Sequence, residues 1–321
     1  MDAKVKSVKN KTIDFDINTE EGKVYLSKCI IDNDSIKEYK KKDIINKTIN
    51  GDTFDVLKKI EKNIADLMIV DPPYNIAKDY HGYKFKDRDN LSYEKYTHLW
   101  VESIIPILKE NATMYVCCDW KSSLVIGNVL EKYFKIQNRI TWQREKGRGA
   151  KNNWKNGMED IWFVTLSNKY TFNIDKVKIR RKVMAPYRIE GKPKDWIETK
   201  NGKFRDTCPS NFWDDISVPY WSMPENTSHP TQKPEKLIAK LILASSNEND
   251  FVFDPFLGSG TTSVVAKKLV RNYSGIEQNP SYCAWAEKRI EIAKENKEIQ
   301  GYTDNIFWER NTMQLQNKLK K

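Results

Sequence analysis

The chain has 321 residues, enough for two domains of roughly 150 residues or for one enlarged α/β domain. Hydrophobic residues make up 39% and charged residues 31%, with 13 glycines and 12 prolines, which excludes a collagen-like, low-complexity or coiled-coil chain. Lys and Arg number 55 against 44 Asp and Glu, a balance of +11. That surplus suits a polyanionic partner, nucleic acid above all, and suits a solvated lysine-rich surface equally well.

The longest apolar runs, such as Leu-Ile-Leu-Ala at 241–244, are far short of a membrane span. The first ten residues carry lysines but no apolar stretch behind them, so no secretory signal is read. A soluble, cytoplasmic protein with no membrane partner is the expectation. Cys29, Cys117, Cys118, Cys208 and Cys283 form no C-x-x-C pair, and only His81, His98 and His229 are available to join them. Neither a metal site nor a disulfide framework is expected.

Residues 1–43 are polar, show no periodicity and are read as an N-terminal extension. From residue 44 the pattern is α/β. A helix over Phe54 to Ile60 precedes the apolar run Ala65–Val70, which stops at Asp71-Pro72-Pro73-Tyr74. Proline has no N–H for a ladder, so the strand ends there with a carboxylate at its C-terminal edge. A helix over 93–108 should bury Tyr96, Leu99, Trp100 and Ile104. Strands at Thr113–Cys118, Ile136–Trp142 and Ile161–Leu166 and a helix over 121–132 follow.

The stretch 144–225 differs, with 17 Lys/Arg against 11 Asp/Glu and five of the ten tryptophans. It reads as an insertion with its own task. After it, Pro234 stands at an expected first helical position, with Leu237, Leu241 and Ala244 on one face. Strands at Phe251–Phe253 and Tyr273–Ile276 and a helix over 280–294 complete a mostly parallel sheet.

Two turns carry chemistry. Asp254-Pro-Phe256-Leu-Gly258-Ser-Gly260-Thr261-Thr262 lies between a strand and a helix, where glycines admit a ligand and the helix N-terminus offers free N–H groups. Glu277, 19 residues after Gly258, can accept hydrogen bonds from both hydroxyls of a ribose. No Gly-Lys-Ser/Thr follows, so it is no P-loop, and Ser263 replaces the third glycine of a dinucleotide fingerprint. A tight turn without ligand is the plain alternative. The second turn, Asp71 to Tyr74, is either structural or a seat for a planar base: a carboxylate and a carbonyl for the two hydrogens of an exocyclic amine, and a ring to stack on it.

Together these two turns resemble the beta group of amino-methylating DNA methyltransferases of bacterial restriction–modification systems. Further elements are similar: Asn50-Gly51-Asp52, Trp142-Gln-Arg144-Glu-Lys146-Gly, and His229-Pro230-Thr231-Gln232-Lys233-Pro234. The resemblance covers roughly residues 44–295. It implies a circularly permuted Rossmann-like, S-adenosylmethionine-dependent fold. Its catalytic half is 44–143, its target-recognition insertion 144–225 and its cofactor half 226–300, with 301–321 as a tail.

It implies that Asp71 and the Pro72 carbonyl hold the amine, with Pro73 completing the turn, and that Tyr74 stacks on a flipped base. Phe256, Gly258 and Gly260 would shape the cofactor pocket, with Asp254, Thr231, Thr261 and Thr262 beside them. Glu277 would take the ribose and Lys233 the methionine carboxylate. Asp52 would lie near the adenine or merely cap the Phe54 helix. His229, Cys117 and Cys118 are read as structural.

Arg144, Lys146, Arg148, Lys151, Arg180 and Arg181 are the candidate contacts to double-stranded DNA. The basic, aromatic segment 78–90 either closes over the base or is an ordinary solvated loop. Adenine N6 is the expected target. N4 of cytosine and a non-catalytic DNA-binding homologue are the alternatives, and a cognate endonuclease and a second copy of the chain are candidate partners.

Overall fold

The computed structural model describes residues 10–144, 151–183, 187–199 and 202–309. The chain begins with α1 (Glu20–Leu26), β1 (Ile30–Ile31), α2 (Lys41–Ile44), β2 (Lys47–Asn50), α3 (Thr53–Leu57) and β3 (Ala65–Val70). A hairpin of β4 (Lys78–Tyr80) and β5 (Tyr83–Phe85) precedes α4 (Asn90–Ile104), β6 (Leu108–Asp119), α5 (Trp120–Tyr133), β7 (Lys135–Gln143) and β8 (Met158–Thr165). Short strands follow: β9 (Ile179–Lys182), β10 (Arg188–Ile189), β11 (Lys192–Pro193), β12 (Ile197–Thr199), β13 (Gly202–Thr207) and β14 (Phe212–Trp213). Last come α6 (Glu235–Ser245), β15 (Phe251–Asp254), α7 (Thr261–Lys268), β16 (Asn272–Glu277), α8 (Pro280–Glu295), β17 (Tyr302–Thr303) and β18 (Ile306–Trp308).

Nine strands form the central sheet in the order β1-β2-β16-β15-β3-β6-β8-β7-β14. All neighbours are parallel except β8, which runs antiparallel between β6 and β7. The two-residue alternation of a strand divides the core. On β3, Leu67 and Ile69 join the cluster under α6, α7 and α8, while Met68 and Val70 join the one under α4 and α5. A sheet covered on both faces needs strands apolar throughout, which is why β3 and β15 read as unbroken apolar runs.

Helix starts follow local chemistry. Asp89, Asp119 and Asn279 accept from the backbone N–H of Ser92, Ser122 and Ser281 at the first turns of α4, α5 and α8. On α4 the expected stripe is rotated: Leu99 is 53% exposed, and Tyr93, Thr97, Trp100, Val101 and Ile104 are buried. Thr97 enters the core because its hydroxyl donates to the Tyr93 carbonyl one turn back, which satisfies it internally. Pro234 is the residue before α6, not its first helical residue.

Both chain ends depart from the sequence reading. Residues 10–43 are not a detached extension. The Ile13 backbone bridges Thr227, Trp285 donates to the Phe15 carbonyl, and β1 lengthens the central sheet. Helix α1 and the turn after it are fastened to α8 by the Lys288–Glu21 and Lys28–Glu291 ion pairs. Past residue 300, β18 pairs in parallel with β9 in a five-stranded sheet, β12-β13-β9-β18-β17. The region 144–225 is likewise not wholly an insertion, because β8 and β14 belong to the central sheet. Among the described residues no helix is long and apolar enough to cross a membrane.

Helix α6 is buried on every side, between the central sheet and the small one. Its two lysines are tolerated because Asp215 meets Lys236 and Lys240 at 2.7 Å each, and Lys236 also donates to the Trp308 carbonyl. Burial still pulls the Lys240 ammonium down to about 8, against the attraction of Asp215. Asp215→Ala leaves two ammonium groups facing an apolar interior, and urea denaturation should show a loss of about 3–5 kcal/mol.

Candidate active site

The two chemical turns meet because β15 lies beside β3, with Val252 opposite Leu67 and Phe253 opposite Met68. From this pair the chain continues to β16 on one side and to β6 on the other, so the strand order reverses between them. Open α/β sheets bind ligands at such a reversal, outside the C-terminal strand ends. Here the ends of β3, β15 and β16 open into one cleft of about 250 Å³. Asp52, Asp71, Tyr74, Phe256, Gly258 and Glu277 line it.

The glycine turn is built for close approach. Gly258 and Gly260 have φ of +55° and +81°, a region disfavoured for residues with a Cβ. A Cβ on Gly260 would lie 2.5 Å from the Ala286 Cβ, so the glycine also sets the distance between α7 and α8. Asp254 is 3% exposed and faces under the turn. It accepts from the Thr262 hydroxyl at 2.6 Å and the Phe256 N–H at 2.9 Å, and so shapes the loop from below. Thr261 donates to the Lys233 carbonyl at 3.2 Å, while Thr231 lines the cleft and donates its N–H to His229 Nδ1 at 3.3 Å.

Glu277 ends β16 and receives the Gly258 N–H at 2.9 Å and the Asn279 N–H at 2.7 Å, one on each oxygen. Burial pushes its carboxyl up to about 7, opposed by those N–H groups, and burial does the same to Asp254. Asp52 accepts from Phe54 N and Asp55 N at the start of α3, so it is a helix cap that also lines the cleft. His229 is half-buried, with its ring centroid 4.4 Å from that of Tyr282. Burial and the nearby Lys233 hold the imidazole down at about 3, so it is neutral.

The turn after β3 is the centre of a charge cluster. Lys233 Nζ lies 2.6 Å from Asp71 Oδ2, 3.0 Å from the Tyr74 hydroxyl and 3.5 Å from Glu159 Oε2. The Tyr74 hydroxyl is 2.8 Å from Asp71 Oδ1 and 3.2 Å from Glu159. Lys233 was expected to face a cofactor carboxylate. Its observed partners are protein carboxylates: Asp71 has no other cation paired with it among the described residues, while Glu159 shares its charge between Lys233 and Arg144. Burial works against its charge, but Asp71 and Glu159 outweigh that and hold the ammonium above the ordinary lysine range.

Beside them, Tyr93 donates to the Pro73 carbonyl at 3.1 Å, whereas the Pro72 carbonyl has no partner among the described residues. Cys117 and Cys118 lie behind the turn, and burial pushes both thiols far up, so neither is a thiolate.

The basic candidates scatter. Arg144 pairs with Glu159. Arg180 makes two bonds to Asp206 and lies over the Trp308 ring, and Arg181 pairs with Glu309, so both have carboxylates for partners. Lys151 is exposed, and Lys146 and Arg148 lie outside the described residues.

Segment 78–90 is not an open loop. Its hairpin brings Tyr80, Tyr83, Phe85 and Arg88 to the cleft and is fastened by a 2.6 Å bond between His81 and the Tyr282 hydroxyl. Sequence reasoning missed Glu159 and Arg289. Arg289 donates to the Ser259 carbonyl at 2.8 Å and the Thr261 hydroxyl at 3.0 Å from behind the glycine turn. The only available signal for Glu159 was an acidic pair at the head of a buried strand.

Gly260→Ala should lower unfolding free energy by about 1–3 kcal/mol, since it must force two packed helices apart. Gly82→Ala is the control: its φ is also positive, +96°, but a Cβ there meets nothing within 4 Å. Equal losses in the two variants would refute the packing argument.

A family model described as DNA methylase, of the N6/N4 methyltransferase type, matches residues 65–288. Type II methyltransferase M.HpaI of Haemophilus parainfluenzae is 37% identical over 243 residues, 73% of this chain and 71% of that protein. DNA adenine methyltransferase YhdJ of Escherichia coli (strain K12) is 34% identical over 251 residues, 76% of this chain and 82% of that protein. The solved structure of the PvuII DNA methyltransferase, cytosine-N4-specific, superposes with a TM-score of 0.55 at 15% identity, over 77% of this chain and 91% of that one, a likeness of fold alone. With most of its length matched by the family model and relatives 34–37% identical over about three quarters of it, the chain belongs to the DNA methylase family.

Proposed function

We propose that this protein transfers a methyl group from S-adenosylmethionine to the N6 amine of an adenine flipped out of duplex DNA, in a restriction–modification setting. The observation that carries the reading is that the Asp71 carboxylate and the next residue's carbonyl, Pro72, which has no partner among the described residues, both line the cleft beside the glycine turn. Two acceptors side by side match the two hydrogens of an exocyclic amine. The adenine reading is supported by Asp71 where cytosine-specific relatives more often have serine, and by the adenine specificity in the name of the Escherichia coli relative.

The residues present fit the cofactor. Glu277 keeps lone pairs beyond its two backbone bonds and suits a ribose diol. Phe256 and Asp52 line the cleft, and Gly258, at positive φ and without a side chain, lets a ligand approach the turn closely. When bound, S-adenosylmethionine supplies a methyl group made electrophilic by its sulfonium.

The amine of adenine is a weak nucleophile, because its lone pair is delocalised into the ring. Acceptance of both hydrogens by Asp71 and Pro72 favours a pyramidal nitrogen and directs the lone pair outward. The Asp71 charge also stabilises the positive charge that the amine gains in the transition state, so most of the acceleration is positioning and electrostatics. Neither thiol behind the turn is ionised, and no covalent enzyme intermediate is required. The target amine is inaccessible within the stack, so the base must be extruded. The Tyr74 ring and the hairpin aromatics line the cleft that receives it, and stacking recovers about 1–3 kcal/mol.

The test is incubation with S-adenosylmethionine and unmethylated duplex DNA, followed by nucleoside mass spectrometry. N6-methyldeoxyadenosine is expected; N4-methyldeoxycytidine would overturn the base assignment, and no methylated nucleoside would overturn the function. Asp71→Ala should cost roughly 10²–10³-fold or more in transfer rate and leave cofactor affinity unchanged. Glu277→Ala should weaken cofactor binding by about 1–3 kcal/mol. Because the Glu277 carboxyl sits up at about 7, affinity should decline as pH falls through that value and the acceptor is protonated. Calorimetric titration of Glu277→Gln should give a weaker affinity without that decline.

A further inference from the structure

Both oxygens of Asp71 are engaged in this structure, Oδ1 by the Tyr74 hydroxyl and Oδ2 by Lys233. That state suits the resting protein and not the reaction. An ammonium 2.6 Å from the carboxylate competes with the incoming amine for an acceptor, and it repels the positive charge the amine develops in a low-dielectric site. Lys233 needs somewhere else to go. The group within reach is Glu159 on β8, 4% exposed, with Oε2 at 3.5 Å, less than an ångström farther than Asp71.

Glu159 is held at present. Its Oε1 takes Arg144 Nη1, and Arg144 is the last described residue before the basic stretch that opens the insertion. The hold is incomplete, since Arg144 Nε is buried with no partner among the described residues. Four charges therefore lie in a row, Arg144, Glu159, Lys233 and Asp71, alternating in sign and summing to zero. Withdrawal of the outermost cation leaves Glu159 undercompensated and attracts Lys233 one step outward. Asp71 is then left anionic and open.

We propose that Glu159 is a positioning residue that takes the Lys233 ammonium from Asp71 when Arg144 is drawn away by bound DNA, so that a carboxylate oxygen is released to the target amine only after the insertion has engaged its site. The proposal rests on the reading of Asp71 as the amine acceptor. It assigns to Arg144 a part in coupling recognition to chemistry rather than in affinity alone.

The experiment uses the full chain, S-adenosylmethionine and the duplex that the wild-type protein methylates. Glu159→Gln should lower the single-turnover transfer rate about 10-fold or more at a temperature where the variant stays folded, while cofactor and DNA dissociation constants stay at wild-type values. Glu159→Asp should restore part of the rate. Arg144→Gln, which frees Glu159 permanently, should narrow the ratio of rates on cognate and mismatched duplexes.

A wild-type rate in Glu159→Gln overturns the proposal, as does a loss that tracks cofactor affinity or the unfolded fraction. If Glu159→Gln does not fold, Arg144→Gln decides, and an unchanged rate ratio overturns the proposal. Failure of the wild-type protein to methylate any duplex would instead overturn the function on which the proposal rests.

Discussion

Two parallel strands whose paired residues are 185 positions apart in the chain lie side by side, and the site depends on that pairing. Asp71 follows β3 and Asp254 ends β15; the ladder between Leu67 and Val252 fixes how far apart the two turns stand. A shift of one residue would exchange the two faces of β3 and bury the wrong side chains, so the core itself protects the register. The same constraint explains the tightness of the glycine turn. Once β15 is held between β3 and β16, the chain must reverse at once into α7 against α8, and Gly260 is the residue that has no Cβ to collide with Ala286.

Several charges are buried in this protein where opposite charges are brought together from distant segments. Asp215 is met by Lys236 and Lys240, and Glu235 by Arg289 and Lys268. Each set fastens α6 to a neighbour, and Arg289 continues from Glu235 into the backbone of the glycine turn. Such pairs add little net stability over apolar packing, yet each fixes which segments meet, since either partner alone would be an unpaired buried charge. The cluster at Asp71 obeys the same electrostatics with a different outcome. It gathers two carboxylates around one lysine and leaves the lysine a choice of partner.

The two ends of the chain complete the structure from outside the matched family region. The first described residues run along the segment before His229, with Lys11, Ile13 and Asp14 bonding to Trp221, Asn226 and Ser228. At the other end, β18 joins β9, so the small five-stranded sheet is built partly from residues 306–308. Arg180 and Arg181, read from the sequence as phosphate contacts, serve in that junction with Asp206 and Glu309.

The sequence by itself determined the α/β alternation, the two turns and their order, because proline, glycine and unbroken apolar runs act locally and hold their meaning without a fold. It also determined the family, since DPPY, the glycine turn and His229 to Pro234 are contiguous strings. Only the tertiary structure decided what Lys233 faces, that Asp254 supports the turn from below, and that Glu159 and Arg144 stand behind Asp71. Those roles come from neighbours tens to hundreds of residues away, and a charge in a one-dimensional string carries no record of the opposite charge it will be buried against. The same holds for residues 10–43: a polar segment without periodicity looks unattached until the surface that supplies its backbone partners has formed.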